Sequence, residues 1–457
     1  MTAVESADPI QRESGLRRVL TTGQLAMIGI GGAIGTGLFM GSGIAIAYAG
    51  PAVILSYAIA GFIALIVMFS LSEMTVAHPT AGSFGTYADL YWNAWSGYVV
   101  RFTYCAAQIV AMGGEAVAIG HYVNFWYPEL PIACGAGAAG LIVTALNCRK
   151  VADFGAVEFT LSSIKVIAIL LFILFGIANI FGLGAPALGL DNYFVHGGPL
   201  PHGLSGVWMA VLMAIFSFVG IEMIAVAAGE SADPNHAVPK ALHSMMFRLA
   251  LFYGLGLGIM LAVVPWDQSG AKIVTESPFV LVFANFGLPF AANIMNMVVI
   301  LAALSSMNTL LYLSARMLFS LSRTGRAPEL LGRLSPSGTP IPAALCAALV
   351  GSGATAIAMI SPAAYNYLLG IALFGAIWTW CTILITHVLY RRTHRPGQAL
   401  LTQAPWQLIG LTLLVAVLIT MALDLEFWNI AILVGLPWII GLTLIFNGTK
   451  ARIGVEA

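Results

Sequence analysis

Gly29-Ile30-Gly31-Gly32-Ala33-Ile34-Gly35-Thr36-Gly37-Leu38-Phe39 lies inside an apolar run from Leu25 to Ala49 that is long enough to cross a bilayer. Five glycines fall in the nine residues from Gly29 to Gly37, and each costs about 1 kcal/mol in a helix relative to alanine. Unsatisfied N–H and C=O groups cost several kcal/mol each in hydrocarbon, so irregular backbone at that depth is tolerated only where protein or a cavity surrounds it. Two readings follow. Gly31 to Gly37 is an unwound point in a transmembrane helix with a solute bound against it, or it is a face of small residues for close helix packing.

The composition around this stretch sets the class. The chain has 457 residues, 60% of them hydrophobic and 8% charged, where a soluble domain carries roughly 25% charged residues. Mean hydropathy is +0.93. These values predict an all-α polytopic membrane protein with the lipid bilayer as its surroundings. Net charge is zero, which gives no basis for a nucleic-acid partner. The cysteines Cys105, Cys134, Cys148, Cys346 and Cys381 lie in apolar segments without metal-ligand spacing and read as small buried apolar residues. No cofactor and no metal is expected. Met1 to Arg18 has no apolar core and no cleavage site, so it reads as a short cytoplasmic tail rather than a signal peptide.

Apolar runs of about 20 residues predict twelve spans: 22–46, 52–75, 98–124, 131–148, 156–182, 207–229, 245–264, 289–316, 341–360, 364–390, 406–424 and 427–447. With that count the basic residues Arg12, Arg17, Arg18, Arg101, Arg149, Lys150, Lys240, Arg248 and Arg316, and those at 323–333, 391–395 and 450–452, share one side. Lys272 falls on the other and Lys165 within a span. This asymmetry predicts that both termini lie on the cytoplasmic side of the membrane. Ala77 to Gly85 reads as an inner turn, with His78 a loop residue. The organisation is a tail at 1–21, five helices at 22–183, five more at 207–390, two trailing helices at 406–447 and a tail at 448–457.

A second interruption stands in the sixth span, Phe216-Ser217-Phe218-Val219-Gly220-Ile221-Glu222-Met223-Ile224. An ionisable group at mid-depth costs at least ~2.5–3.5 kcal/mol, so it faces a wet or functional interior. Gly35 and Gly220 occupy corresponding places if the two five-helix blocks are copies of one unit. Five is odd, so the second copy enters the membrane inverted, and interrupted helices at matching positions of inverted halves point to a transporter site. The pairing favours the solute-binding reading of Gly31 to Gly37. Free N–H groups of Gly35, Thr36 and Gly37 would open a half-helix whose dipole suits a carboxylate. Unpaired carbonyls at both breaks suit an ammonium group. An α-amino acid carries both charges on one carbon.

Other buried polar groups bear on coupling. Lys165 sits mid-span, two turns from Glu158 on the same face. It either snorkels or acts as a fixed cation where a sodium ion would otherwise brace the first span. Glu115 lies deep in the third span. Glu73, at the end of the second, reads as a solvated group near the inner surface. A proton carrier must reach its neutral form, which apolar surroundings favour, so Glu222 and then Glu115 are the proton-coupling candidates. Ser305 and Ser306, with Asn308 close by, face Lys165 or the first break, or make helix-packing hydrogen bonds.

Gly31 to Phe39, Phe216 to Glu222 and Glu230-Ser231-Ala232-Asp233-Pro234, in that order, resemble amino-acid permeases of the amino acid–polyamine–organocation superfamily, nearest to its bacterial amino acid transporter family. Ser72-Glu73-Met74 with His78-Pro79, Ile164-Lys165-Val166, Ser314-Ala315-Arg316-Met317 and Thr339-Pro340-Ile341-Pro342 add to the resemblance, which runs from Thr22 onward. It implies a five-plus-five inverted repeat with two trailing helices and uptake across the inner (plasma) membrane, usually coupled to protons. By position, the substrate carboxylate would meet the amides of Thr36 and Gly37, and the amino group the carbonyls of Ala33, Phe216 and Val219. Ile34, Gly35, Ser217, Phe218 and Gly220 complete the substrate-binding set. Phe216 stands where related antiporters carry an aromatic gate. Glu222 matches an acid linked to proton-dependent transport. Lys165 matches a lysine that replaces the second sodium site, with Ser305 and Ser306 beside it. The family's Trp-rich start to the third span is replaced here by Arg101-Phe102-Thr103-Tyr104-Cys105, and its Met-Ala before the acid by Met112-Gly113-Gly114-Glu115.

The expected function is therefore a secondary active transporter importing amino acids by alternating access, with an exchanger or a sodium symporter of the same fold as the alternative. A membrane-embedded enzyme would need clustered catalytic groups, and the eight histidines form no such set. A channel would need a continuous wet pore, which two breaks with hydrophobic linings do not suggest. Neither the substrate nor the oligomeric state is written in the sequence.

Overall fold

The computed structural model describes residues 12–35, 38, 41–183, 187–268, 290–360, 362–394, 401, 403, 405–424 and 428–455. Thr36, Gly37 and Lys272 lie outside them. The described chain is helical, and its β pairing is an isolated parallel bridge between Leu20 and Ser231. In chain order the helices are α1 Thr22–Ala33, α2 Ser42–Ala49, α3 Val53–Ala77, α4 Ser83–Tyr91, α5 Ala94–Asn124, α6 Ile132–Asn147, α7 Val151–Phe181, α8 Gly203–Phe218, α9 Met223–Ala227, α10 Pro234–Val263, α11 Ala291–Arg323, α12 Ile341–Ala358, α13 Pro362–Thr393, α14 Trp406–Leu423 and α15 Asn429–Val455.

Local chemistry sets several of these limits. Thr21 and Gln24 form a reciprocal capping box at the start of α1, satisfying two donors that a helix start leaves open. Asn93 accepts from the Ser96 amide at 2.8 Å to open α5. Asp233 followed by Pro234 opens α10, a proline placement that gives up no helical hydrogen bond. Gly182 in the left-handed conformation ends α7.

Among the described residues, ten helical stretches are long and apolar enough to cross a membrane, and α6 is a shorter apolar helix. Length and apolarity alone therefore give fewer spans than the twelve expected. The difference arises at two places, the expected fourth span, which is the shorter α6, and the start of the chain. α1 is short, and α2 runs through a tight turn at Gly50–Ala52 into α3, so Ser42–Ala77 counts as a single stretch. The α8–α9 segment, α11, α13 and α5 are the most enclosed; α14 and α15 present most of their surface outward. α11 packs along α5 at the centre, and α1 packs against α7, α10 and α11.

Several sequence expectations change on inspection. The turn after α3 is followed by a helix, α4, within what the sequence suggested was loop. His78 does lie in the turn, hydrogen-bonded to the Tyr91 hydroxyl. Glu73 is not simply solvated: it accepts from Arg391 at 2.6 and 3.0 Å and lies 2.9 Å from His387 Nε2. Arg101 and Arg316, each at the inner end of an expected span, are buried rather than facing solvent, at 1% exposed. Of the cysteines, Cys105 is buried, Cys134 is exposed and the others are intermediate; all are free thiols.

The segment before α1 is tied to one end of the bundle. The Glu13 carboxylate accepts from the Gly82 amide at 2.6 Å, from Thr86 at 2.9 Å, and from the Thr80 and Ser320 hydroxyls. Arg101 lies 3.9 Å from it and pairs with Asp89 at 2.6 Å. Burial pushes the Asp89 carboxyl above its ordinary range, and the Arg101 charge opposes that shift. Removing an acceptor that serves several buried donors costs about 1–3 kcal/mol. Glu13→Ala is therefore expected to lower the melting temperature of the purified protein, and an unchanged melting curve would count against this tie.

Candidate functional site

The α-helix that begins at Thr22 stops at Ala33, where Ile34 takes φ −103° and ψ 85°. Leu38 and Gly41 have the wider π winding, and α geometry resumes at Ser42. Gly35 itself is a bend, and the start of the second half-helix, which the sequence reading puts at Gly35 to Gly37, falls partly outside the described residues. α8 stops at Phe218: Val219 is extended, and Gly220 has φ +105°. A side chain is strained there, so the glycine permits the turn. The chain turns through Ile221 and Glu222 and re-enters α geometry at Met223.

The two interruptions touch. A methyl group on Gly220 would lie 2.9 Å from the Gly32 carbonyl carbon and 3.1 Å from the Ala33 amide nitrogen. Tyr253 of α10 bridges the pair. Its hydroxyl is hydrogen-bonded to the carbonyl of Ala33 at 3.2 Å and to that of Ser217, and one proton serves one acceptor at a time. Tyr57 lies beside it, its ring centroid 5.2 Å away, and hydrogen-bonds the Ser217 hydroxyl at 2.9 Å. Neither tyrosine was singled out from the sequence. No local pattern marks them, because their partners lie on other helices.

Lys165 is fully buried and donates from Nζ to the carbonyls of Gly31 and Ile34, both at 2.7 Å. The ammonium thus satisfies carbonyls that the end of α1 leaves open, and it does not snorkel. On another side of the first break, a methyl on Gly35 would lie 2.4 Å from Glu115 Oε1 and 2.7 Å from Ser306 Oγ. Ser306 donates to Glu115 at 3.0 Å. Ser305 donates to Glu158. The two serines therefore hydrogen-bond carboxylates of α5 and α7.

Glu222 is fully buried. The Tyr104 hydroxyl donates to Oε1 at 3.0 Å, the Trp380 indole N–H to Oε2 at 3.2 Å, and the Gly220 amide lies 3.2 Å from both oxygens. The carboxylate thus ties the second break to α5 and α13. Phe216 and Val219 are partly exposed, while Ser217 and Phe218 are buried, and the Phe218 ring packs on Tyr253. Among the described residues no group of three or more His, Cys, Asp or Glu could hold a metal ion.

Comparison with known proteins places this geometry in context. Residues 24–448 match the family model described as amino acid permease. The chain is 38% identical over 392 residues to the aromatic amino acid transport protein AroP of Escherichia coli K12, covering 85% of each. It is 37% identical over 400 residues to AroP of Salmonella typhimurium LT2, covering 87% of each. It is also 36% identical over 446 residues to the uncharacterized amino acid permease YtnA of Bacillus subtilis 168, covering 95% of each.

Proposed function

The chain belongs to the amino acid permease family, whose members are multi-pass membrane transporters and not enzymes, and from that premise we propose that it imports an amino acid, coupled to protons, by alternating access around the two helix breaks. The observation that carries this reading is the contact of Gly220 with Gly32 and Ala33, which brings two stretches of main chain released from regular helical pairing to one place. In this reading the carbonyls of Ala33, Phe216 and Val219 hold the substrate ammonium, the amides of Thr36 and Gly37 its carboxylate, and Ile34, Gly35, Ser217, Phe218 and Gly220 shape the cleft. Aromatic amino acids are the proposed substrate class, from the likeness to AroP.

The architecture proposed with it has twelve spans, α1 with α2 forming the first and α8 with α9 the sixth. Residues 22–183 and 207–390 are the inverted repeats, 406–447 the trailing pair, and both termini lie inside. Lys165 favours proton over sodium coupling, because its ammonium already occupies two carbonyls of the first break. Glu222, with Glu115 behind it, is the proposed proton carrier.

Uptake of labelled phenylalanine, tyrosine and tryptophan into proteoliposomes, with other amino acids as competitors, tests the substrate. Imposed proton or sodium gradients test the coupling. Glu222→Gln is expected to lose accumulation driven by a pH gradient and to keep part of its exchange. If that variant still concentrates substrate under a proton gradient alone, Glu222 is not the carrier.

A further inference from the structure

Glu158 has no part in the transport mechanism above, yet it is fully buried on the same helix and the same side as Lys165. Seven residues separate them, about two helical turns. Glu158 accepts from Ser162 at 3.2 Å on its own helix, and from Ser305 and Asn308 on α11, the latter at 2.9 Å. Asn308 is in turn held by the Asn147 amide of α6 at 2.9 Å. The carboxylate also lies against the first break, since a methyl on Gly31 would fall 2.0 Å from Glu158 Oε1. Gly31 thus has Glu158 on its bare α-carbon and Lys165 on its carbonyl.

The donors to Glu158 are neutral, and the acceptors of Lys165 are neutral. Each charge is costly to bury alone. Of the charged groups on α7 itself and on α5, α10 and α11, those placed against the first break beside Lys165 are Glu158, at Gly31, and Glu115, at Gly35.

We propose that Glu158 is the counter-ion of Lys165 and, through it, a positioning residue for the first break. The carboxylate keeps the ammonium charged, and the charged ammonium holds the Gly31 and Ile34 carbonyls, more strongly than a neutral amine would. The point at which α1 stops is thereby fixed. The positioning role rests on the proposal that this break is part of the transport site.

A charge cycle tests it. Melting temperature and amino-acid exchange, with equal pH on both sides of the vesicle, are measured for Glu158→Gln, Lys165→Met, the double variant and Glu158→Asp. Each neutral single variant strips one member of the Glu158–Lys165 pair of the other, whereas the double variant removes both and leaves Glu115, held by Ser306, as it stands in Lys165→Met. The double variant is expected to melt above the less stable single variant, and its loss to fall well short of the sum of the two. Glu158→Gln is expected to raise the exchange KM at least tenfold, and Glu158→Asp, which keeps the charge, to restore most of it. Losses that add, or an aspartate no better than glutamine, would overturn the proposal. If Glu158→Gln gives no folded protein, recovery of folding in the double variant supports the pair and continued failure defeats it. Failure of the wild type to exchange any amino acid would refute the transport site instead, and the melting cycle would still decide the ion pair.

Discussion

Gly220→Ala is expected to reduce amino-acid uptake by at least tenfold in cells that carry normal amounts of the protein in the membrane. The residue has φ +105°, where a side chain costs on the order of 1–3 kcal/mol in backbone strain. The space is also taken: the added methyl would meet the Gly32 carbonyl carbon at 2.9 Å, its oxygen at 3.0 Å and the Ala33 nitrogen at 3.1 Å. Those are main-chain atoms and cannot rotate aside, so the two helix ends must separate. The Gly220 amide also hydrogen-bonds Glu222, so the shift reaches the proposed proton carrier. In catalytic sites a displacement of about 1 Å costs roughly 100-fold, which sets the scale for a larger loss here. Gly32→Ala is the comparison. Its methyl would meet the Met223 sulfur at 1.8 Å, and a methionine side chain can move away. That variant should keep more uptake than Gly220→Ala. Near-normal uptake by Gly220→Ala would show that the contact between the breaks is dispensable.

Both breaks were legible in the sequence because each violates a large energetic rule in a short window. Five glycines in nine apolar residues cannot make an ordinary lipid-facing helix, and a carboxylate two residues after a glycine does not belong in the middle of a dry span. What the sequence did not reveal is who satisfies the groups so exposed. Tyr253 reaches Ala33 from a helix 220 residues away in sequence, Trp380 reaches Glu222 across 158, and Arg391 reaches Glu73 across 318. An aromatic or a cation at a helix end has many possible partners, and local periodicity selects none of them. Lys165 was recognised as anomalous because its surroundings in sequence are apolar. Glu158 was noticed as its neighbour, but its hydrogen bonds to α11 depend on packing. α4 was missed because a nine-residue helix between polar turns carries little periodic signal. Glycine content marks where winding is weak, not where it recovers, so it does not by itself fix where the first span resumes.

Arg316→Met is expected to destabilise the protein by about 3–5 kcal/mol, the range for removing one partner of a buried ion pair. Arg316 is held at two points by Glu230, Nη2 to Oε1 at 3.1 Å and Nε to Oε2 at 3.2 Å. Its guanidinium carbon stands 3.6 Å from the centre of the Tyr312 ring. That ring stacks on Phe154 at 4.3 Å, and its hydroxyl bonds the Glu230 carboxylate. The Glu230 carbonyl accepts the amides of Val19 and Leu20, so the cluster joins α11, α7, the end of the α9 segment and the strand-like stretch before α1. Methionine fills much of the volume but leaves a fully buried carboxylate facing a tyrosine hydroxyl alone. Arg316→Lys should recover little, because a single ammonium cannot reproduce the two-point contact or the stacking over Tyr312. Adding Glu230→Gln to Arg316→Met should recover part of the loss by removing the stranded charge. Melting temperatures of the purified variants in one detergent decide the matter. An Arg316→Met protein that melts with the wild type would mean that the pair contributes no net stability, its attraction only balancing the cost of taking two charges out of water.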